Sequence, residues 1–245
     1  MSDEGLGLLT FGVLAVAFLY SSVGHAGASG YIAVMSLFGM APTAIKPIAL
    51  VLNILVASLG SWQFWRAGHF SWRLFWPFAL LSVPCAFLGG YLNLPTHAFK
   101  ILVGFTLLFS AARLLLRPTA DEVLDGPPRP VALGLGAGIG FLSGLTGTGG
   151  GIFLSPLLIF MRWARTKVAA AVSALFILVN SLSGLLGNLS ATREFPAFAL
   201  PLAVAAVGGG AAGSYLGSHR FPHTAIKRLL ALVLIIAGLK LILTR

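Results

Sequence analysis

The chain has 245 residues, 58% of them hydrophobic and only 9% charged, with a mean hydropathy of +0.96. A soluble domain carries about 25% charged residues, so too little charge is present to cover a water-exposed globule, and the chain is expected to be an all-α polytopic membrane protein. The net charge of +10 forms no soluble basic module that would hold nucleic acid; it fits basic residues retained on the cytoplasmic side of a membrane.

The first four residues, Met1 to Glu4, are acidic, whereas a secretory signal begins basic. The apolar run Leu6 to Tyr20 is therefore expected to be retained. A glycine stretch follows, Gly24-His25-Ala26-Gly27-Ala28-Ser29-Gly30, and then a short apolar run from Tyr31 to Met40. Pro42 and Pro47 predict a break, because proline ends helices. Spans are expected at Ile48–Trp65, Trp72–Tyr91 (with Pro77 and Pro84 as kinks) and Phe99–Leu116. Cys85, the only cysteine, lies within one of them, which excludes an internal disulfide and a thiolate metal site. A polar segment with three acids and three prolines leads to Arg129.

The second half repeats this plan. Val131 to Leu142 is apolar, Gly144-Leu145-Thr146-Gly147-Thr148-Gly149-Gly150-Gly151 is the densest glycine stretch, and Ile152 to Met161 is apolar again. Spans are expected at Val168–Leu189, Phe195–Leu216 and Ile226–Leu243. Aligning the halves at an offset of 120 residues places Gly24, Gly27 and Gly30 on Gly144, Gly147 and Gly150. The end motifs around Pro95 and Pro222 also match, sharing Ala and Lys. The expected organisation is a first membrane repeat over 1–118, a linker over 119–130 and a second repeat over 131–245, all in one membrane domain. Such duplication is common in secondary transporters.

A span needs about 20 residues, and the runs flanking the second glycine stretch have only about 10 to 14, about half a bilayer each at 1.5 Å per residue. Each glycine unit either crosses once as a broken helix or returns to its starting side. Lysine and arginine positions favour return. One face then holds Arg66, Arg73, Arg113, Arg117, Arg129, Arg162, Arg165, Lys167, Arg220, Lys227 and Arg228. The other holds Lys46, Lys100, Arg193, Lys240 and Arg245, eleven against five of the sixteen basic residues. A single crossing splits them evenly. Return implies two inverted-topology repeats, each a glycine-broken pair followed by three spanning helices, with both termini outside and the linker cytoplasmic. Charge does not separate a re-entrant hairpin from two short spans.

Non-helical backbone at membrane depth is tolerated only when it is buried in protein or lines a wet cavity. Helices starting after Gly150 and Gly30 present unpaired amides and the positive end of a dipole, an anion site without charged side chains. Gly149, Gly150, Gly151, Gly27, Ser29 and Gly30 are the expected contacts, Thr148 can add a hydroxyl, and Asn53 and Ser173, 120 residues apart, are expected to line one cavity. His25 is a candidate proton carrier, because its pKa lies near neutrality; a structural histidine is the alternative. Lys46 is a weaker anion-ligand candidate that can instead snorkel to the interface. The four-residue spacing of Gly136, Gly140 and Gly144, and of Gly209, Gly213 and Gly217, fits helix packing. No metalloprotease, serine-hydrolase or phosphate-loop motif is present, and no cofactor or metal is expected.

Gly144-x-x-Gly147-x-Gly149-Gly150-Gly151-x-x-x-x-Pro156, followed by Ala169-Ala170-Ala171-Val172-Ser173, resembles the second-repeat signature of the TauE/SafE family, sulfite and organosulfonate exporters and related anion permeases of prokaryotic membranes. The resemblance covers the whole chain and implies transport of sulfite, sulfonate or a related sulfur oxyanion across the inner membrane. The residues alone indicate a small anion, driven by an ion gradient since no ATP-binding motif exists. A permease for another small anion, a non-transporting structural or assembly protein, and a homodimer stay open.

Overall fold

A computed structural model describes residues 3–22, 24–92, 95–115, 126–193 and 200–219, with 235, 238, 239, 242 and 243. The predicted linker lies outside the described residues as far as 125. So do the motif around Pro222, most of the last predicted span and the start of the span expected from Phe195.

Among the described residues all regular structure is helical. The helices are α1 (Asp3–Ser22), α2 (Ala28–Leu37), α3 (Pro42–Arg66), α4 (Trp72–Tyr91), α5 (Thr96–Leu115), α6 (Arg129–Thr146), α7 (Gly151–Phe160), α8 (Thr166–Thr192) and α9 (Leu200–His219). Four of them, α1, α3, α4 and α8, are long and apolar enough to cross a membrane. The helix α4 has the predicted bounds despite Pro77 and Pro84: neighbouring helices can re-satisfy backbone groups that proline frees.

Two boundaries differ most from expectation. The helix α3 starts at Pro42 rather than after Pro47. Proline suits the first helical position, where the missing N–H has no partner anyway, and Pro47 follows early enough to remove one bond without ending the helix. The helix α6 continues four residues past Leu142 to Thr146, because Gly144 sits against the carbonyl of Ala86 on α4 and packing holds the turn helical. The break is therefore confined to 147–150. With 18 residues in α6 and 10 in α7, the unit is a nearly full-length helix followed by a half-length one, at about 1.5 Å per residue.

Close approach organises the packing. Gly136, Gly140 and Gly144 lie against the carbonyls of Phe78, Ser82 and Ala86, so α6 runs parallel to α4; Gly209 and Gly213 lie against those of Leu14 and Phe18, so α9 runs parallel to α1. The packing role expected for these glycines holds, Gly217 lying among residues whose side chains are not described. At the centre α3 and α8 cross antiparallel, with Gly60 facing Ala174, Asn53 facing Ser181 and Leu50 facing Gly184. One apolar core joins α1, α2, α3 and α9, and a second joins α4, α6, α7 and α8.

The two halves keep a common element order at a corrected register. Gly24 and Gly147 are both left-handed (φ 80° and 79°), as are Gly27 and Gly150 (φ 100° and 80°). The helices that follow start at Ala28 and Gly151, then at Pro42 and Thr166. The offset is thus 123 to 124 residues rather than 120. Gly24 corresponds to Gly147 instead of Gly144, and Asn53 corresponds to Ile177 instead of Ser173. Matching glycine to glycine by identity had shifted the alignment by one helical turn.

Candidate functional site

The second glycine break gathers buried polar side chains around its left-handed Gly149 and Gly150. The helix α6 ends at left-handed Gly147, whose amide bonds the Ser143 carbonyl at 2.8 Å. Gly149 and Gly150 turn the chain back, and Gly150 caps α7, its carbonyl accepting from Phe153 and Leu154. Among the described residues no acceptor receives the amides of Thr148 to Ile152. These amides and the helix dipole make the start of α7 attractive to an anion.

Buried polar side chains close over this end. A Cβ at Gly149 would lie 2.9 Å from Asn53 Nδ2, 2.9 Å from Ser181 Oγ and 2.7 Å from Ile177, so only glycine lets the backbone come this near at φ 74°. Asn53 is fully buried and donates a long 3.4 Å hydrogen bond to Ser181, while its Oδ1 has no partner. Ser143, beside Gly150, and Ser173, whose carbonyl faces Gly151, are fully buried with unpartnered hydroxyls, as is Ser155 on α7 at 2% exposure. An unmade hydrogen bond on a buried polar group costs about 1–3 kcal/mol. A set of such groups around one helix N-terminus is what a site for a polar ligand requires.

Thr148 contributes only its amide. Thr146 donates to the Leu142 carbonyl at 2.7 Å, so the hydrogen in the 2.9 Å Thr146–Thr148 contact comes from Thr148, leaving none for an anion. Lys46 is also committed. Its Nζ donates to the carbonyls of Gly90 (2.9 Å), Leu92 (3.0 Å) and Gly89 (3.4 Å) at the end of α4. A cation there complements the negative end of the helix dipole and leaves the side chain on the outer edge of the Gly147 turn.

The remaining sequence candidates gather at the first break. Ser29 shares a 2.8 Å hydrogen bond with Tyr20, and Gly30 packs against Val16 and the Tyr20 ring. Gly27 caps α2 beside the Tyr31 ring. His25 borders a cavity of about 10 Å³ with Ser21, Val56, Ala57 and Ser214, room for about one water. The structure thus brings Gly149, Gly150, Gly151, Asn53 and Ser173 together and leaves Gly27, Ser29, Gly30 and His25 around the other break. Sequence reasoning passed over Ser181 and Ser143 as site residues. The eight-residue spacing of Ser173 and Ser181 on α8, about two turns, was the available signal for Ser181; Ser143 carried none.

Apolar helices packed around a cluster of buried polar side chains define a multi-pass membrane protein. Residues 8–241 match the family model described as sulfite exporter TauE/SafE, and the chain belongs to that family, as a membrane transporter rather than an enzyme. It is 41% identical to the "Probable membrane transporter protein y4hK" of Sinorhizobium fredii, over 99% of this chain and 100% of the relative. It is 25% identical to the "Probable membrane transporter protein YjnA" of Bacillus subtilis, over 94% and 96%. No solved structure matches it.

Proposed function

We propose that this transporter moves small sulfur oxyanions, sulfite, sulfonate or similar, by alternating access about the pocket at the start of α7. The observation that carries the proposal is the set of unpartnered buried groups, Asn53, Ser143 and Ser173, around the free amides of Thr148 to Ile152. Those amides supply donors and a partial positive charge, with Ser181 and the Asn53 amide completing the cradle. Hydrogen bonds to charged groups are worth more than neutral ones, about 1.5–3 kcal/mol each. A cradle of this kind can hold a monoanion or dianion without a buried cation that would have to be desolvated in every cycle.

In this mechanism two inverted repeats, 1–118 and 131–245, rock against each other around the α3–α8 crossing, with the linker 119–130 cytoplasmic, both termini outside and the chain in the inner membrane. The antiparallel run of the corresponding helices α3 and α8 supports inversion. So does the cavity that Arg73, Arg129 and Arg165 line together: a returning glycine unit puts all three on one face, whereas a unit that crosses once separates Arg165 from the other two. An ion gradient supplies the energy, and His25, beside a water-sized cavity, is the proton-carrier candidate.

Uptake of labelled sulfite into vesicles containing the purified protein tests the substrate. Movement competed by sulfonates is expected; if neither sulfite nor sulfonates move while another small anion does, the substrate assignment falls and the pocket stands. Sidedness is tested in a Cys85→Ala background. His69→Cys and Met161→Cys should react with an impermeant maleimide from one side and Phe38→Cys from the other. Labelling of His69→Cys and Met161→Cys from opposite sides would refute the returning unit.

A further inference from the structure

A second feature lies apart from the second glycine break. At the arginine-bearing end of the bundle is a cavity of about 630 Å³, walled by Ser71, Arg73, Trp76, Arg129, Trp163 and Arg165 among others. Three helices begin at its wall, α4 at Trp72, α6 at Arg129 and α8 at Thr166. Each helix start carries the equivalent of about half a positive charge, which acidic residues normally balance. Here no first turn holds an acid, and none of the N-caps Ser71, Pro128 and Arg165 makes a side-chain capping bond. An arginine stands at each start instead, and among the described residues no carboxylate lines the cavity. The three guanidiniums are exposed and stand at three positive helix ends, which makes the mouth of the cavity electropositive.

We propose that this cavity is a second anion site, which takes a tetrahedral oxyanion between the guanidiniums of Arg73, Arg129 and Arg165. Guanidinium groups match such oxygens with paired N–H bonds. Arg129 is placed with its Cζ 5.8 Å from the centre of the Trp76 ring, a cation–π contact that orients it. The volume far exceeds one inorganic oxyanion, so the ligand keeps part of its hydration, as suits a loading vestibule rather than a selective pocket. Between this cavity and Gly150 lies the core that contains Leu74, Phe78, Leu158 and Phe176, an apolar plug that separates the two sites. The loading role rests on the transport proposal; anion binding in the cavity does not. The same chemistry is offered by a soluble sulfur or phosphorus oxyanion and by the phosphodiester of an anionic lipid.

Sulfate titrated into the full-length protein in phospholipid-free detergent, at ionic strength held constant with chloride, reads the site through tryptophan fluorescence. Saturable binding is expected, weakened at least about tenfold in Arg73→Gln/Arg129→Gln/Arg165→Gln, given the strength of hydrogen bonds to charged groups. The corresponding triple lysine variant keeps the charge and should bind with intermediate affinity. Repeating the titration in phosphatidylglycerol and phosphatidylcholine nanodiscs separates the sources: competition by phosphatidylglycerol assigns the site to lipid headgroups, and its absence to a soluble anion. Equal sulfate affinity in the wild type and the glutamine variant overturns the proposal. So does sulfate binding that emerges only in Asp121→Asn/Glu122→Gln/Asp125→Asn, which would make the chain's own acids the occupant. If no sulfur oxyanion crosses the vesicle membrane while arginine-dependent sulfate binding persists, the transport proposal fails and the site remains.

Discussion

The two glycine breaks share a backbone and differ in almost everything that surrounds it. Gly24 and Gly147 turn with the same φ, Gly27 and Gly150 cap the next helix, and both short helices have 10 residues. Gly149, however, lies against Asn53 and Ser181, whereas Ala26, its counterpart, sits in an apolar core with Ala57, the counterpart of Ser181. The Gly147 turn meets Lys46; the Gly24 turn meets Ala170, which corresponds to Lys46. Around the first break the hydroxyls of Tyr20 and Ser29 satisfy each other while those of Ser21 and Tyr31 are unpartnered; around the second Asn53, Ser143, Ser155 and Ser173 keep polar atoms unpartnered. The same turn thus occurs twice, with tyrosine and serine hydroxyls beside the first copy and an amide side chain with serine hydroxyls beside the second.

The largest expected effect separates the breaks directly. Gly149→Ala places a methyl within 2.9 Å of Asn53 and Ser181 at a left-handed φ, strain of about 1–3 kcal/mol at the proposed anion site. Anion uptake should fall at least about tenfold, on the scale of 1.36 kcal/mol per decade, with the protein still monodisperse. Ala26→Gly, the converse change at the other break, should leave uptake within about twofold; equal losses would mean that both breaks hold the anion.

Asn53→Ala removes one buried donor from the cradle without adding bulk. Anion affinity measured by calorimetry should drop about tenfold, the loss of one hydrogen bond to a charged ligand, while thermal stability changes little because Asn53 makes only the 3.4 Å bond to Ser181. A large fall in melting temperature with unchanged affinity would assign Asn53 to helix packing. Lys46→Met should do the reverse. It strips three carbonyls at the end of α4 of their donor and should cost about 2 kcal/mol of stability, read by thermal unfolding, with affinity nearly preserved. The smallest effect belongs to Tyr20→Phe, which deletes the bond to Ser29. A loss of about 1 kcal/mol with uptake unchanged is expected, and a strong transport defect would move the first break into the site.

Much of this was legible in the chain. The helix α4 falls where the apolar run ended, and the glycine spacing of α6 predicted its approach to another helix. Both short helices follow glycine breaks, as expected. The assignment of Lys46 was left between ligand and interface, and its true partners are the carbonyls of Gly89, Gly90 and Leu92, more than 40 residues away. Thr148 looked like a hydroxyl donor because its neighbour Thr146 gave no hint of spending the shared hydrogen. The alignment of the halves slipped by a turn because identical glycines attract each other in a sequence, whereas the correspondence is one of backbone conformation.

Composition and hydropathy by themselves determined that the chain belongs in a bilayer, since there are too few charges to solvate it. The glycines determined that the helices break, because backbone freedom is a local property of the residue. Which buried polar groups meet at each break was decided by tertiary structure alone. Asn53 meets Ser181 across 128 residues, and that encounter depends on how α3 and α8 cross, on packing between helices that no single stretch of sequence encodes.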